Sequence, residues 1–253
     1  MLSAVIIARD EADRIEAAIR SVHFADECIV LDSGSRDDTV ALAEALGARV
    51  VRTDWPGFVA QKNRAWAEAR GEWVLSIDAD ERVSPELQAA VLAVMRAPGA
   101  QGYRVRRRNT WLGHVLKAGH WYPDARVRLA RKTSATWSGV EPHDRLEVEG
   151  RVDQLEGDLL HIPYRNLGEH LRTIDRYTAL TAAHLRAEGR RAGVVDLWLR
   201  PPWRFFSAFI LAGGWRDGAV GFLLAALGAV YCLLKWARVA GLVPMPETGR
   251  SER

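Results

Sequence analysis

The sequence predicts an α/β fold, a mostly parallel mixed sheet flanked by helices, with a helical, apolar C-terminal extension. Three observations predict it. Short apolar runs alternate with amphipathic stretches over the first hundred residues, the pattern of βαβ units. Two of those runs end on aspartate, at Asp32 and Asp78. From Trp198 onward the chain turns apolar and aromatic. The expected organisation is an α/β domain over 1–163, divided into 1–100 and 101–163, and a helical region over 164–253.

Residues 2–8 read as a buried strand, and 10–22 as a helix with Ile15, Ile19 and Val22 at helical spacing. Residues 28–31 give a second strand ending at Asp32, 37–46 a helix stopped by Gly47, and 49–51 a third strand. Residues 61–70 form a helix closed by Gly71, and 73–77 a strand ending at Asp78. Ser84-Pro85-Glu86 opens the next helix, with Ser as cap, Pro at the first position and an acid in the first turn. Across 101–163, strand-like pieces such as 103–105 and 127–129 mix with loop residues and with Trp111, Trp121, Tyr122 and Trp137. Residues 164–190 read as a polar helix.

Apolar residues make up 48% of the 253 and charged residues 26%, which excludes global disorder and a polytopic membrane protein. Residues 1–100 hold 11 basic and 17 acidic side chains, and 101–253 hold 24 and 15. The acidic front suits metal or sugar chemistry, and the basic back an anionic partner such as phosphate or a lipid surface. Two cysteines, Cys28 and Cys232, both in apolar runs, make no disulfide framework and fit a reducing compartment. The chain opens almost directly on an apolar strand without a basic leader, so the catalytic half is expected in the cytoplasm.

In an open parallel sheet, ligands bind outside the carboxyl ends of the strands. Asp78-Ala79-Asp80 lies at such an end and offers hard oxygen ligands to a divalent cation that also takes phosphate oxygens. The loop Asp32-Ser33-Gly34-Ser35-Arg36-Asp37-Asp38-Thr39 follows a strand, and its small residues let a ligand approach the backbone. Neither a G-x-G-x-x-G fingerprint nor a Walker lysine motif is present, which argues against a dinucleotide oxidoreductase and a P-loop NTPase.

These pieces together resemble a family 2 glycosyltransferase with the nucleotide-sugar-binding GT-A fold. The opening strand with Ala8-Arg9-Asp10-Glu11, the loop 31–39 and Asp78-Ala79-Asp80 match that family's motifs. Gly57-Phe58, Gln61-Lys62-Asn63, Trp121-Tyr122-Pro123-Asp124 and Pro142-His143-Asp144-Arg145-Leu146 resemble the lipopolysaccharide core β-glucosyltransferase group. The chain departs from the family at Ala8, Asp10 and Asp38, where Thr, Asn and Gly are usual.

The resemblance implies a metal-dependent inverting transferase moving a hexose from a nucleotide sugar, a UDP-sugar, to a lipid-linked saccharide. It makes 1–100 the nucleotide-sugar half and 101–163 the acceptor half. Asp80 would hold Mn2+ or Mg2+, with His143 as a further metal ligand or an orienting partner. Asp78 would face the ribose, Glu11 and Asp32 the uracil or ribose, and Lys62 the diphosphate. Inversion needs a carboxylate base to take the acceptor hydroxyl proton. Asp144 is the first candidate, ahead of Asp124 and Glu141. Trp111, Trp121 and Tyr122 are candidates for a sugar platform, or ordinary core. The other readings are a non-catalytic nucleotide-sugar-binding or scaffold protein on the same fold and, less well supported, a nucleotidyltransferase. No nucleic-acid partner is expected.

The tail holds uncharged runs of 11 residues, 205–215, and 17 residues, 218–234. Against the ~20 apolar residues of a bilayer span, the first is too short and the second is borderline. Trp198, Trp203, Trp215 and Trp236, with Arg200, Arg204, Arg216, Lys235 and Arg238, bracket the runs. An apolar body with aromatic edge and basic rim predicts a helix pair over 198–238 lying in the membrane interface on the cytoplasmic face, peripheral or monotopic. The alternatives are a buried hairpin and a true span.

Overall fold

The computed structural model describes residues 1–139 and 144–245. The chain divides into two compact units, residues 1–109 with 124–163, and residues 110–123 with 164–253. Residues 110–123 thus group with the C-terminal residues.

The first unit is built on strands β1 (Leu2–Ala8), β2 (Glu27–Asp32), β3 (Arg49–Arg52), β4 (Trp73–Asp78), β5 (Glu81–Val83) and β6 (Gly102–Trp111). Strand β7 (His114–Val115) pairs with the last residues of β6 in the second unit. Strands β8 (Asp124–Arg131), β9 (Ala135–Ser138), β10 (Arg145–Val148) and β11 (Val152–His161) complete the set. Helices α1 (Ile15–Ser21), α2 (Thr39–Ala45), α3 (Phe58–Glu68) and α4 (Pro85–Arg96) connect the early strands. The sheet order is β3-β2-β1-β4-β8-β6-β11-β5. β3, β2, β1 and β4 run parallel. β8 is antiparallel to β4 and β6, and β11 is parallel to β6. The carboxyl ends of β2, β4 and β11 and the amino end of β8 therefore lie on one edge of the sheet.

Strands β1, β2 and β4 read as near-unbroken apolar runs because helices cover both faces of a parallel sheet. Ile6, Ile15, Ile19, Leu75, Ile77 and Leu129 pack in one layer of core, and Val5, Ile29, Leu31, Trp66 and Val74 in the other. Helix α4 starts as expected, with the Leu87 amide donating to Ser84 Oγ at 3.2 Å. Gly157, at φ +85°, touches the α4 backbone so closely that a Cβ would sit 2.3 Å from the Leu87 nitrogen.

The second unit contains α5 (Leu167–Ala187), α6 (Val194–Trp198), α7 (Arg200–Phe206) and α8 (Gly218–Ala240). A π-helical turn, Ser207–Leu211, and a 3-10 turn, Gly214–Asp217, join α7 to α8. The stretch Gly214–Ala240 is long and apolar enough to cross a membrane. Helix α8 packs on α5 through Ala182, Trp236 and Val239. Two residues of the expected basic and aromatic rim depart from it. Trp236 is buried, and the buried Arg238 pairs with Asp175 and donates to Thr178 Oγ1. The charged turn finds protein partners: Asp217 is buried and accepts from the amides of Lys117 and Ala118 at 3.1 and 3.2 Å.

His170 lies in an aromatic cluster, stacked on Tyr164 at 4.1 Å, with Trp111 Nε1 donating to its Nδ1 at 3.0 Å. Burial pushes its imidazole down to about 4. An unfolded histidine titrates near 6.5, so the unfolded chain binds the extra proton first as pH falls. Stability from this group is therefore full above about pH 6.5 and lost progressively down to about pH 4, by about 3 kcal/mol at most. Denaturant unfolding between pH 8 and 5 should show this slope, and His170→Gln, which keeps an acceptor for Trp111, should flatten it.

Candidate active site

The loops after β1 and β2 are stitched together by side chains. The Asp32 carboxylate accepts from the amides of Gly34 and Ser35 at 3.0 and 3.1 Å. Ser35 Oγ accepts from the Asp10 amide at 2.9 Å, Thr39 Oγ1 from the Glu11 amide at 2.8 Å, and Asp37 from the Ala12 amide at 3.0 Å. Asp10 sits at φ +54° and accepts from the Arg36 amide at 2.7 Å. Asp and Asn tolerate that left-handed backbone best after glycine, which accounts for an aspartate here. Asp32 is 2% exposed and lines a groove with Gly34, Ser35, Arg52 and Thr53. Burial disfavours the Asp37 carboxylate, but its hydrogen bonds to Thr39 and Ala12 outweigh this and hold it below the usual range.

From the end of β4 a chain of alternating charges reaches both candidate bases. Lys62, on α3 and only 5% exposed, donates to Asp144 at 2.8 Å and pairs with Asp78 at 3.2 Å. Its ammonium lies 4.5 Å from the centre of the Trp137 ring. Arg128, on β8, pairs with Asp78 at 2.9 Å and Glu81 at 2.6 Å. Arg107, on β6, pairs with Glu81 at 3.3 Å and Asp124 at 2.6 Å. Glu81 is fully buried and accepts from the Asp78 amide at 2.9 Å, which fixes the turn carrying Asp78 and Asp80. Burial opposes the charge on Asp78, yet Lys62 and Arg128 hold its carboxyl far below the usual range. Burial likewise opposes Asp124, and Arg107 and Arg126 outweigh it.

Asp80 belongs to a separate arm. Its Oδ2 lies 3.3 Å from His161 Nε2, at the end of β11, and 3.9 Å from Arg14. Arg14 also pairs with Glu11 at 3.8 Å. His161 Nδ1 donates to Asn109 Oδ1 at 2.5 Å, which orients the ring with Nε2 facing the Asp80 carboxylate. Among the described residues no three such side chains gather, so a divalent cation held between this carboxylate and imidazole would take its remaining ligands from a bound phosphate or water. Burial disfavours the Asp80 carboxylate, and His161 outweighs it, keeping the group ionised.

Asp78, Asp80, Lys62, Asp144 and Asp124 thus share one sheet edge, with Glu11 linked through Arg14. Trp121 and Tyr122 lie in the second unit, where Trp121 packs against Tyr164 and His170. Trp111 is core there too. His143 and Glu141 lie outside the described residues. His161, Glu81, Arg107 and Arg128 escaped the sequence reading. His161 closes a strand just as Asp32 and Asp78 do, which is the signal that points to it.

Residues 3–139 match the model of the family described as glycosyl transferase family 2. Over 94% of its length the chain is 29% identical to 91% of the lipopolysaccharide core biosynthesis glycosyltransferase LpsC of Rhizobium meliloti. It is 31% identical to an uncharacterized glycosyltransferase of Rickettsia conorii, over 88% of this chain and 83% of that one. The fold is similar to TarS residues 1–349 from S. aureus, solved in complex with UDP-GlcNAc. That likeness has a TM-score of 0.51 at 12% identity, over 95% of this chain and 90% of TarS. Sheet order, edge chemistry and family match converge: the chain belongs to glycosyl transferase family 2, has the GT-A fold, and is a glycosyltransferase.

Proposed function

We propose that the enzyme transfers a hexose, with inversion, from a UDP-sugar to a lipid-linked saccharide such as lipopolysaccharide core at the cytoplasmic face of a membrane. The observation that carries this reading is Lys62, which joins Asp78 to Asp144. Asp80 and His161 would hold Mn2+ or Mg2+, which when bound neutralises charge on the departing diphosphate. Asp78 faces the ribose, and Glu11 and Asp32 frame the base. Lys62 meets the diphosphate; as its ammonium turns to phosphate, it releases Asp144 to take the acceptor hydroxyl proton. Asp144 is the better base because, among the described residues, only Lys62 forms an ion pair with it, whereas two guanidiniums clamp Asp124. The relationship to LpsC supports the lipopolysaccharide acceptor. Turnover of a nucleotide-sugar panel with Mn2+ or Mg2+, with and without membrane extract, tests this. Release of UDP that rises with extract supports it, and no release from any donor contradicts it.

The membrane reading rests on the second unit's surface, where Trp198, Trp203, Leu211 and Trp215 are all exposed. At 23 residues α8 measures about 34 Å, enough for a span. Its packing against α5 argues for lying flat, because a span would draw Arg172, Asp175 and Arg176 toward hydrocarbon at several kcal/mol. Removing everything after Leu197 would also strip Leu224 from Trp111 and Leu116, so substitutions are the cleaner test. Trp203→Ser and Leu211→Ser should each weaken vesicle binding about tenfold without unfolding the protein, by flotation and circular dichroism. Unchanged flotation would contradict the reading.

A further inference from the structure

Arg200 and Arg204 stand one turn apart on α7, and Lys235 on α8 comes close to both. The Arg200 guanidinium lies 4.9 Å from the centre of the Trp236 ring, and the Lys235 ammonium 5.1 Å from the same ring. The buried indole is a floor on which both cations rest. Gly228 lies two turns before Lys235, on the same face of α8. A Cβ there would sit 3.8 Å from Arg204 Nε, an ordinary contact, which places that guanidinium beside the same face of α8. Asp196 is the one carboxylate in the group, paired with Arg200 at 2.6 Å. Among the described residues neither Arg204 nor Lys235 forms a salt bridge, and burial first, then the Arg200 and Arg204 charges, disfavour the charge on Lys235. By contrast, Arg238 is spent on Asp175 within the fold.

Three cations gathered around one carboxylate are poised to gain from an added anion. The apolar, aromatic residues beside them, Trp198, Leu199 and Trp203, are all exposed. A free anion has no use for such neighbours, whereas an anionic head on acyl chains does. We propose that Arg200, Arg204 and Lys235 form a site for the phosphate headgroup of an anionic membrane lipid. The site rests on the membrane reading above and adds headgroup selectivity to it, anchoring the α7–α8 pair at the phosphate layer.

Flotation of the full-length protein with phosphatidylcholine vesicles, and with vesicles also containing phosphatidylglycerol, tests this. The protein should bind both and prefer the second. Arg200→Gln, Arg204→Gln and Lys235→Gln should each cut the anionic preference about fivefold, and the triple variant should remove it while binding neutral vesicles as before. Arg190→Gln with Arg191→Gln, exposed arginines outside the cluster, should leave the preference in place. A triple variant that keeps the preference, or a control pair that removes it equally, overturns the site while leaving the membrane reading standing. Binding to neither vesicle overturns both. Inorganic phosphate that binds the soluble protein through these residues and abolishes the lipid preference overturns the assignment to a lipid headgroup.

Discussion

Asp80→Ala is expected to abolish hexose transfer, by about 10³-fold or more, while the protein still folds. Folding should survive because the Asp80 carbonyl, which accepts from the Ile162 amide at 3.1 Å, is backbone and remains. Among the described residues, the side chain removed is the one carboxylate facing His161 Nε2. Without it, Arg14 and His161 lose the carboxylate they share. Calorimetry should show donor binding that no longer responds to divalent metal, and circular dichroism should show wild-type helix content. Normal turnover in this variant would remove Asp80 from the mechanism.

Asp144→Asn is expected to bind the donor as wild type and lose transfer by about 10²–10⁴-fold, the usual worth of a general base. Asn keeps the shape and still accepts from Lys62, but it cannot take a proton. Asp124→Asn provides the contrast. Its loss weakens two ion pairs, to Arg107 and Arg126, and should lower stability more than it lowers the chemical step. Single-turnover rates measured with saturating donor separate the two. A dead Asp124→Asn with a near-normal Asp144→Asn would exchange their roles.

The fold was legible where local pattern and burial agree. Strands β1, β2 and β4 lie between helical layers, so their apolar runs could be read directly, as could the Ser84-Pro85 cap. Strand β5 was not legible, because two of its three residues are charged. Glu81 is tolerated in the core by Arg107 and Arg128, which lie 26 and 47 residues away in sequence. The same distance hid the setting of Lys62. Its spacing on α3 fits a solvated lysine equally well, and its partner Asp144 is 82 residues on. Asp32, Asp78 and Asp80 were found by one rule, that chemistry gathers at the carboxyl ends of parallel strands. The same rule applies to β11, whose polar alternation through Gln154, Glu156 and Asp158 disguises it as a strand and so hides His161 at its end. In the tail, the aromatic and basic rim was visible as composition. Only α5 packing on α8 separates Trp236 and Arg238, which are buried, from Trp203 and Arg204, which are exposed.

Titration of UDP into the full-length protein, with Mn2+ and with chelator, for wild type and His161→Ala tests the assignment of the metal-assisted nucleotide site most directly. Wild-type affinity should rise with Mn2+ and fall back on chelation, and that response should be lost in His161→Ala with the metal-free affinity unchanged. Wild-type binding that is indifferent to Mn2+, or a His161→Ala variant that responds to Mn2+ as wild type does, would contradict it.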